Sequence, residues 1–274
     1  MALGTSAKEA VKQIVGIVLV RNEDRFVRQS VTNILGFCDR ILLVDNGSQD
    51  QTPFILKELA ASDPGKISFH AIGNSRESHD LLKPYAGTPT WVFAVDGDEI
   101  YDPERLDSFR IRLLSGEFNS YWMILSNVHH CRYLDHSKGV AEGYLTPPAR
   151  SITKLYNFAA IRSWNGNTNE RLHGGNPDFL PGYEAESKRN LYFEYQWETS
   201  PLRCLHVCFL SRSSLDRSST ISRKNILEKS GLFNRLRMLA RRMLKIPEVS
   251  TYKQERYARG ESLSVPTAPF FKTP

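Results

Sequence analysis

WVFAVDGDE, Trp91–Glu99, is a run of five apolar residues that ends at three acids gathered around a glycine. An apolar run of this length with no polar alternation reads as a β-strand covered on both faces. Three similar runs precede it: IVGIVLV at 14–20, RILLVD at 40–45 and KISFHAI at 66–72. Between them, Phe26, Val27, Ser30, Val31 and Ile34 recur at intervals of three and four, as do Phe54, Ile55, Leu56 and Leu59. That spacing predicts helices over 24–36 and 51–61. The order β-α-β-α-β-α-β predicts a parallel sheet with helices packed on it. Beyond residue 118 the pattern loosens. Strands are predicted at 121–128, 152–158, 190–197 and 203–210, with a loop-rich stretch around Gly139, Gly143, Pro147 and Pro148.

Polar residues stand where these strands end. Arg21-Asn22-Glu23 follows the first, Asp45-Asn46-Gly47-Ser48 the second, and Asp96-Gly97-Asp98-Glu99 the fourth. In open α/β sheets ligands bind beyond the carboxyl ends of the strands, so these groups are expected on one rim. Neither GxGxxG nor GxxxxGK[ST] follows the first strand, which counts against a dehydrogenase or a P-loop enzyme. A diphosphate bound without such a loop needs its charge met by other means. A carboxylate pair holding Mg²⁺ or Mn²⁺ would do this, because a hard cation bridges carboxylate and phosphate oxygens. Asp96-Gly97-Asp98 suits that role. An Asp-x-Asp by itself also describes a solvated turn, and its place directly after WVFAV is what favours the site.

Composition narrows the classes further. With 41% apolar and 24% charged residues the chain is of ordinary globular type. The net charge of +6 is concentrated: eight Lys and Arg lie between Arg223 and Lys245 against Glu228 alone, leaving the rest of the chain near −1. A nucleic-acid partner is therefore not expected of the body. No segment approaches the roughly 20 apolar residues of a membrane span. Residues 1–13, MALGTSAKEAVKQ, lack the apolar core of a signal peptide, and four scattered cysteines suit a reducing compartment, so the expected location is cytoplasmic. The basic segment, with Ile226, Phe233, Leu236, Ala240 and Met243 at helical spacing, has two readings: a helix packed on the catalytic domain, or peripheral contact with an anionic membrane.

GIVLVRNED, ILLVDNGSQDQT and WVFAVDGDE, in this order and at these separations, resemble the three N-terminal signatures of family 2 glycosyltransferases of the GT-A fold. The resemblance covers about residues 14–110 closely and extends loosely to 217. It implies a Rossmann-like mixed sheet flanked by helices, with a GT-A catalytic domain over 1–217. The nucleotide-binding half would span about 14–118 and the acceptor-side half about 119–217. A basic helical extension (218–260) and a flexible tail (261–274) would follow. It further implies that Val20, Arg21, Asn22 and Glu23, with Asp45 facing the base, line the donor-nucleotide pocket. Asp96 would contact the ribose or metal, Asp98 would ligate Mn²⁺ or Mg²⁺, and Arg76 would reach the nucleotide.

The second half follows the family pattern less closely. Relatives carry a His-Glu pair before the acceptor region, and here Asn169 stands in place of the histidine while Glu170 keeps the carboxylate. An inverting transfer needs a base for the acceptor hydroxyl, and Glu170 is the candidate, with Asp178, Glu184 and Glu186 in reserve. His206, in RCLHVCFLSR (203–212), resembles the family's late-strand histidine and would complete the metal site. Strand alternation puts Cys204, His206 and Cys208 on one face, which raises zinc as a rival, although small buried thiols are the plainer account. The implied activity is transfer of a sugar, UDP-linked by family habit, to a hydroxyl of a glycan, lipid-linked or protein acceptor. Two alternatives stand beside it: an inactive sugar-binding protein on the same scaffold, and a sugar nucleotidyltransferase, which usually opens with a glycine-rich loop absent here.

Overall fold

The computed structural model describes residues 13–166, 175–216 and 252–271. β1 (Gln13–Val20), β2 (Arg40–Asp45), β3 (Ile67–Ala71) and β4 (Thr90–Val95) form the parallel core in the order β3-β2-β1-β4. β1 shows why its sequence is apolar throughout. Ile14, Val18 and Val20 enter one buried cluster, while Val15, Ile17 and Leu19 enter another on the opposite face. Both faces are covered, as the lack of alternation predicts.

On the first face lie α1 (Val27–Thr32), α2 (Thr52–Ser62) and α3 (Pro103–Leu114), whose Val31, Leu56 and Phe109 are buried in that cluster. α1 is shorter than its predicted span, because residues 33–37 continue as turns. The third helix of the predicted alternation is also missing. Between β3 and β4 the chain makes 3₁₀ turns at Ser75–His79 and Lys83–Tyr85, where Pro84, Gly87 and Pro89 interrupt any longer helix. Leu82 from this stretch covers the second face together with Trp122, Tyr156 and Trp164.

After β5 (Glu99–Tyr101) the sheet changes direction. β6 (Met123–Asp135) runs beyond its predicted length and is flanked by β7 (Val140–Leu145) and β8 (Ile152–Asn157), both antiparallel to it. β8 also pairs antiparallel with β4, which joins the two halves of a mixed sheet. β9 (Ile161–Gly166) and β10 (Gly175–Phe179) form a separate two-stranded sheet, and β11 (Lys188–Asn190) pairs with β6. The strand predicted at 190–197 is replaced by this short β11 and a 3₁₀ turn at Leu191–Phe193. β12 (Arg203–His206) stops at His206, short of its predicted end at 210.

α4 (Tyr252–Tyr257) and β13 (Leu263–Pro266) close the described chain. The segment predicted as a flexible tail behaves otherwise over its described part. β13 pairs with β7, and Val265 and Phe270 are buried with Ile100, Leu205 and Val207. Arg203 stacks on Trp197 and Phe270 while its guanidinium donates to Asp102 at 2.7 and 3.0 Å. Asp102 in turn caps the N-terminus of α3. The basic run 223–245 lies outside the described residues, and no described helix is long and apolar enough to cross a membrane.

Candidate active site

Parallel register places the ends of three strands side by side: Val20 opposite Asp45, and Val18 opposite Val95. The connections beyond them are tied to one another by short polar contacts. Asn22, with φ of 55°, donates its amide to Ser48 Oγ at 2.9 Å and accepts from the Gln49 amide at 2.7 Å. Asp45, nearly buried, accepts from the Ser48 amide at 3.3 Å and so stabilises the Asp45-Asn46-Gly47-Ser48 turn, where Gly47 takes φ of 68°. Glu23 donates its amide to Thr52 Oγ1. Asp50 accepts from Thr52 and Ser213; burial opposes its ionisation, yet these hydrogen bonds hold its carboxyl below the usual range. Arg21 is exposed on this rim, and Arg76 is exposed on the turn after β3, at the same end of the sheet.

The Asp96–Glu99 turn is the centre of the arrangement. The Glu99 amide donates to the Asp96 carbonyl at 3.0 Å, and the Gly97 carbonyl accepts from Ser30 Oγ at 2.9 Å. A Cβ on Gly97 would stand 2.4 Å from Glu23 Oε2 and 2.7 Å from Val20 Cγ1, so only glycine lets this turn press against the β1 end. The alternation of the turn gives its acids different fates. Asp96 faces the partly open side, and Asp98 is fully buried. Glu99, also fully buried, points into the protein and pairs with Lys154 Nζ of β8 at 2.5 Å.

β12 lies between β5 and β6, with His206 in register with both Glu99 and His130. This brings His206 Nε2 to 3.6 Å from Asp98 Oδ2, with both side chains buried. Arg212, a few residues on, donates to Glu23 Oε1 at 2.5 Å and lies 3.4 Å from Asp98 Oδ2. A cation between two carboxylates relieves their repulsion.

The hydrogen-bond chain behind His206 fixes its tautomer. His130 Nε2 lies 2.8 Å from the Arg150 carbonyl, which only accepts, so that nitrogen carries the proton. In a neutral His130, Nδ1 is then an acceptor. It lies 2.9 Å from His206 Nδ1, which must donate. A neutral His206 then turns the lone pair of Nε2 toward Asp98. Carboxylate and imidazole nitrogen are ligand types that suit a divalent cation, and a carboxylate-rich set with a single imidazole suits Mn²⁺ or Mg²⁺ better than thiolates would. A carbonyl that accepts from one histidine, which in turn bonds the next, is the kind of arrangement that orients metal ligands.

The cysteine alternative for zinc does not assemble. β12 ends at His206, so Cys208 leaves the alternation, and Cys204 lies by Tyr101 and Glu99. His130, His206 and Cys208 do approach one another within 4.8 Å, with the two histidine Nδ1 atoms in contact at 2.9 Å. All four cysteines are buried free thiols, and burial pushes Cys131 and Cys204 well above the ordinary thiol value.

Asp45, Asp96, Asp98, Glu23 and His206 are thus grouped on one side of the sheet. Glu170 and Asn169 lie outside the described residues. Of the reserve acids, Asp178 is exposed and pairs with Arg162 at 2.7 Å, and Glu184 and Glu186 are exposed. Sequence reasoning missed four participants: Glu99 as a buried anchor, Lys154, Arg212 and His130. A lysine inside the strand ITKLYN was the one available signal.

Comparison with known proteins shows what this chain is similar to. Residues 17–125 match the model of Glycosyl transferase family 2. An uncharacterized glycosyltransferase of Rickettsia prowazekii is 22% identical over 147 residues, 54% of this chain and 47% of that protein. The chain therefore spans about half the length of the curated relatives it matches. Among solved structures, residues 1–349 of TarS from S. aureus align with a TM-score of 0.38 at 15% identity, over 65% of this chain and 60% of that one. Glucosyl-3-phosphoglycerate synthase from Mycobacterium tuberculosis, solved with Mn²⁺, UDP and glucosyl-3-phosphoglycerate, gives 0.30 at 18% identity, over 44% and 46%. The matched segment 17–125 contains all three strand-end clusters, so the likeness to Glycosyl transferase family 2 rests on the residues that build the candidate site.

Proposed function

We propose that the protein transfers a sugar from a nucleotide-sugar donor, a UDP-sugar by family habit, to an acceptor hydroxyl with the help of Mn²⁺ or Mg²⁺. The observation that carries this reading is the buried meeting of Asp98 with His206 Nε2, 3.6 Å apart, directly beyond the end of β4. A carboxylate and an imidazole nitrogen held this close in a buried place are ligand types that a divalent cation takes.

In this reading Asp45 and the Val20–Glu23 turn receive the nucleoside, with Asp96 at the ribose. Asp98, Asp96 and His206 hold the metal, which when bound offsets the charge of the departing diphosphate. His130 keeps His206 in its ligating tautomer, and Glu99–Lys154 anchors the turn from behind. Arg212 balances Glu23 and Asp98. Glu170 is the proposed base for an inverting transfer, on its place in the sequence alone, and the acceptor is a glycan, a lipid-linked sugar or a protein. The basic segment 223–245 as a membrane-contacting surface is likewise a proposal from the sequence.

A thermal-shift panel of UDP, GDP, dTDP and CMP, each with and without Mn²⁺, tests the donor class. Selective binding at a hundred times the dissociation constant stabilises by about 2.7 kcal/mol. One nucleotide is expected to stabilise the protein only with metal, and Asp98→Ala should erase the shift. A panel with no metal-dependent shift would transfer support to a non-catalytic binding role.

A further inference from the structure

A second, separate cluster of charge lies on the other side of His130. Pro148, Arg150, Ser151, Arg256 and Arg259 line a cleft of about 190 Å³. At about 30 Å³ per water in the liquid, that is room for roughly six waters, ample for a tetrahedral anion. The five lining residues carry three positive charges and no negative one.

The cleft is built by long-range packing. The Arg150 amide donates to the Arg256 carbonyl at 3.0 Å, and the Arg150 carbonyl accepts from His130 Nε2 at 2.8 Å and Thr146 Oγ1 at 3.2 Å. The backbone of Arg150 is therefore held from three elements. On the far wall Gly260 takes φ of 86°, and a Cβ there would stand 2.6 Å from Pro148 Cγ. That glycine lets the end of α4 fold back on the Pro147–Pro148 turn, which brings Arg256 and Arg259 to the same cleft as Arg150. Three guanidinium groups lining one cleft suit an anion with several oxygens, which takes charge-assisted, forked hydrogen bonds from them.

Tyr257 separates the cleft from the candidate metal site. Its ring centroid is 4.5 Å from that of His130 and 5.5 Å from that of His206, and the Arg150 guanidinium lies 5.9 Å from the same ring. The nucleotide rim at β1 and β2 belongs to the other half of the sheet. An anion in the cleft would therefore stand beside the reacting centre, on the side away from the nucleoside.

We infer that this cleft is a phosphate subsite for the acceptor, so that the acceptor carries a phosphoryl group near the hydroxyl that receives the sugar. The inference rests on the transferase reading above. The phosphate could instead be that of the donor, and the test separates the two sources.

Binding of inorganic phosphate and of glycerol 3-phosphate is measured by calorimetry on the full chain without divalent metal, at low and at raised ionic strength. Saturable binding is expected, weakened by salt and retained in Asp98→Ala. Arg150→Gln and Arg259→Gln, both exposed side chains, should each weaken it by roughly tenfold or more, as the loss of one charge-assisted hydrogen bond implies. An unchanged melting temperature certifies their fold. The inference is overturned if neither probe binds, if both arginine variants bind as the wild type does, or if Asp98→Ala abolishes binding, which would put the phosphate at the metal site. UDP with Mn²⁺, run in parallel, reports on the transferase reading alone: its failure in the wild type, with phosphate still bound, would remove that reading and leave an anion site of other purpose.

Discussion

The two halves of the sheet contribute to the site in different ways. In the parallel half, the site groups come from turns directly after β1, β2 and β4, and their contacts are mostly among neighbouring turns. Asn22 with Ser48 and Asp45 with its own turn are examples. In the antiparallel half, the contributions are side chains delivered across the fold: the buried Lys154 from β8, His130 from β6 and His206 from β12, and the partly buried Arg212 beyond it. The first half supplies acids at the strand ends, and the second holds them in place.

The largest test of that division cuts the tie between the halves. Lys154→Met leaves Glu99 buried without its cation, which should cost about 3–5 kcal/mol in urea denaturation. Lys154→Met combined with Glu99→Gln should recover most of the loss. If the single variant is as stable as the wild type, the pair is not an anchor.

Acid should weaken the antiparallel half first. Burial lowers the pKa of His129 to about 4, against about 6.5 in an unfolded chain, so the native imidazole is neutral. Its contribution is whole above pH 6.5 and is lost as pH falls from 6.5 to 4, by up to about 3 kcal/mol. His129→Gln keeps a donor for the Leu263 carbonyl and removes the titration. Denaturation midpoints at pH 7, 5.5 and 4 should therefore fall less steeply in the variant; equal slopes would assign the acid sensitivity elsewhere.

His130→Phe addresses the second half's hold on the first. Without an acceptor for the His206 Nδ1 proton, Mn²⁺ affinity should drop by about 10–100-fold, as for other outer-shell partners. Electron paramagnetic resonance of free Mn²⁺ in the presence of the nucleotide measures this directly. An unchanged affinity would mean that the carboxylates of the parallel half fix the metal by themselves. At the small end, Glu58→Gln breaks the exposed Arg28–Glu58 pair on the helical face and should change stability by less than about 0.5 kcal/mol.

The same division explains what could be read from the sequence. The parallel strands announce themselves because both faces are buried, and their terminal acids are adjacent in sequence to the runs that position them. The placement of Asp45, Asp96 and Asp98 at the strand ends was therefore legible. His130, Lys154 and Arg212 were not, because their meaning depends on which strand lies beside which. Nothing local says that β12 inserts between β5 and β6, yet that register alone puts His206 against Glu99 and His130. The end of the chain misled for a related reason. A proline-rich stretch with weak periodicity reads as a tail, although Leu263–Pro266 finds an unpaired edge at β7 and Phe270 a slot beside Trp197.

The central claim is that Asp98 carries a metal-dependent sugar transfer. Release of nucleoside diphosphate from a panel of UDP-sugars, with and without Mn²⁺, tests it in the wild type and in Asp98→Asn. The account predicts turnover of at least one donor that requires the metal and falls about a thousandfold in the variant, the several kcal/mol expected of Lewis-acid assistance. Turnover indifferent to metal, or an Asp98→Asn protein that works at the wild-type rate, would contradict it.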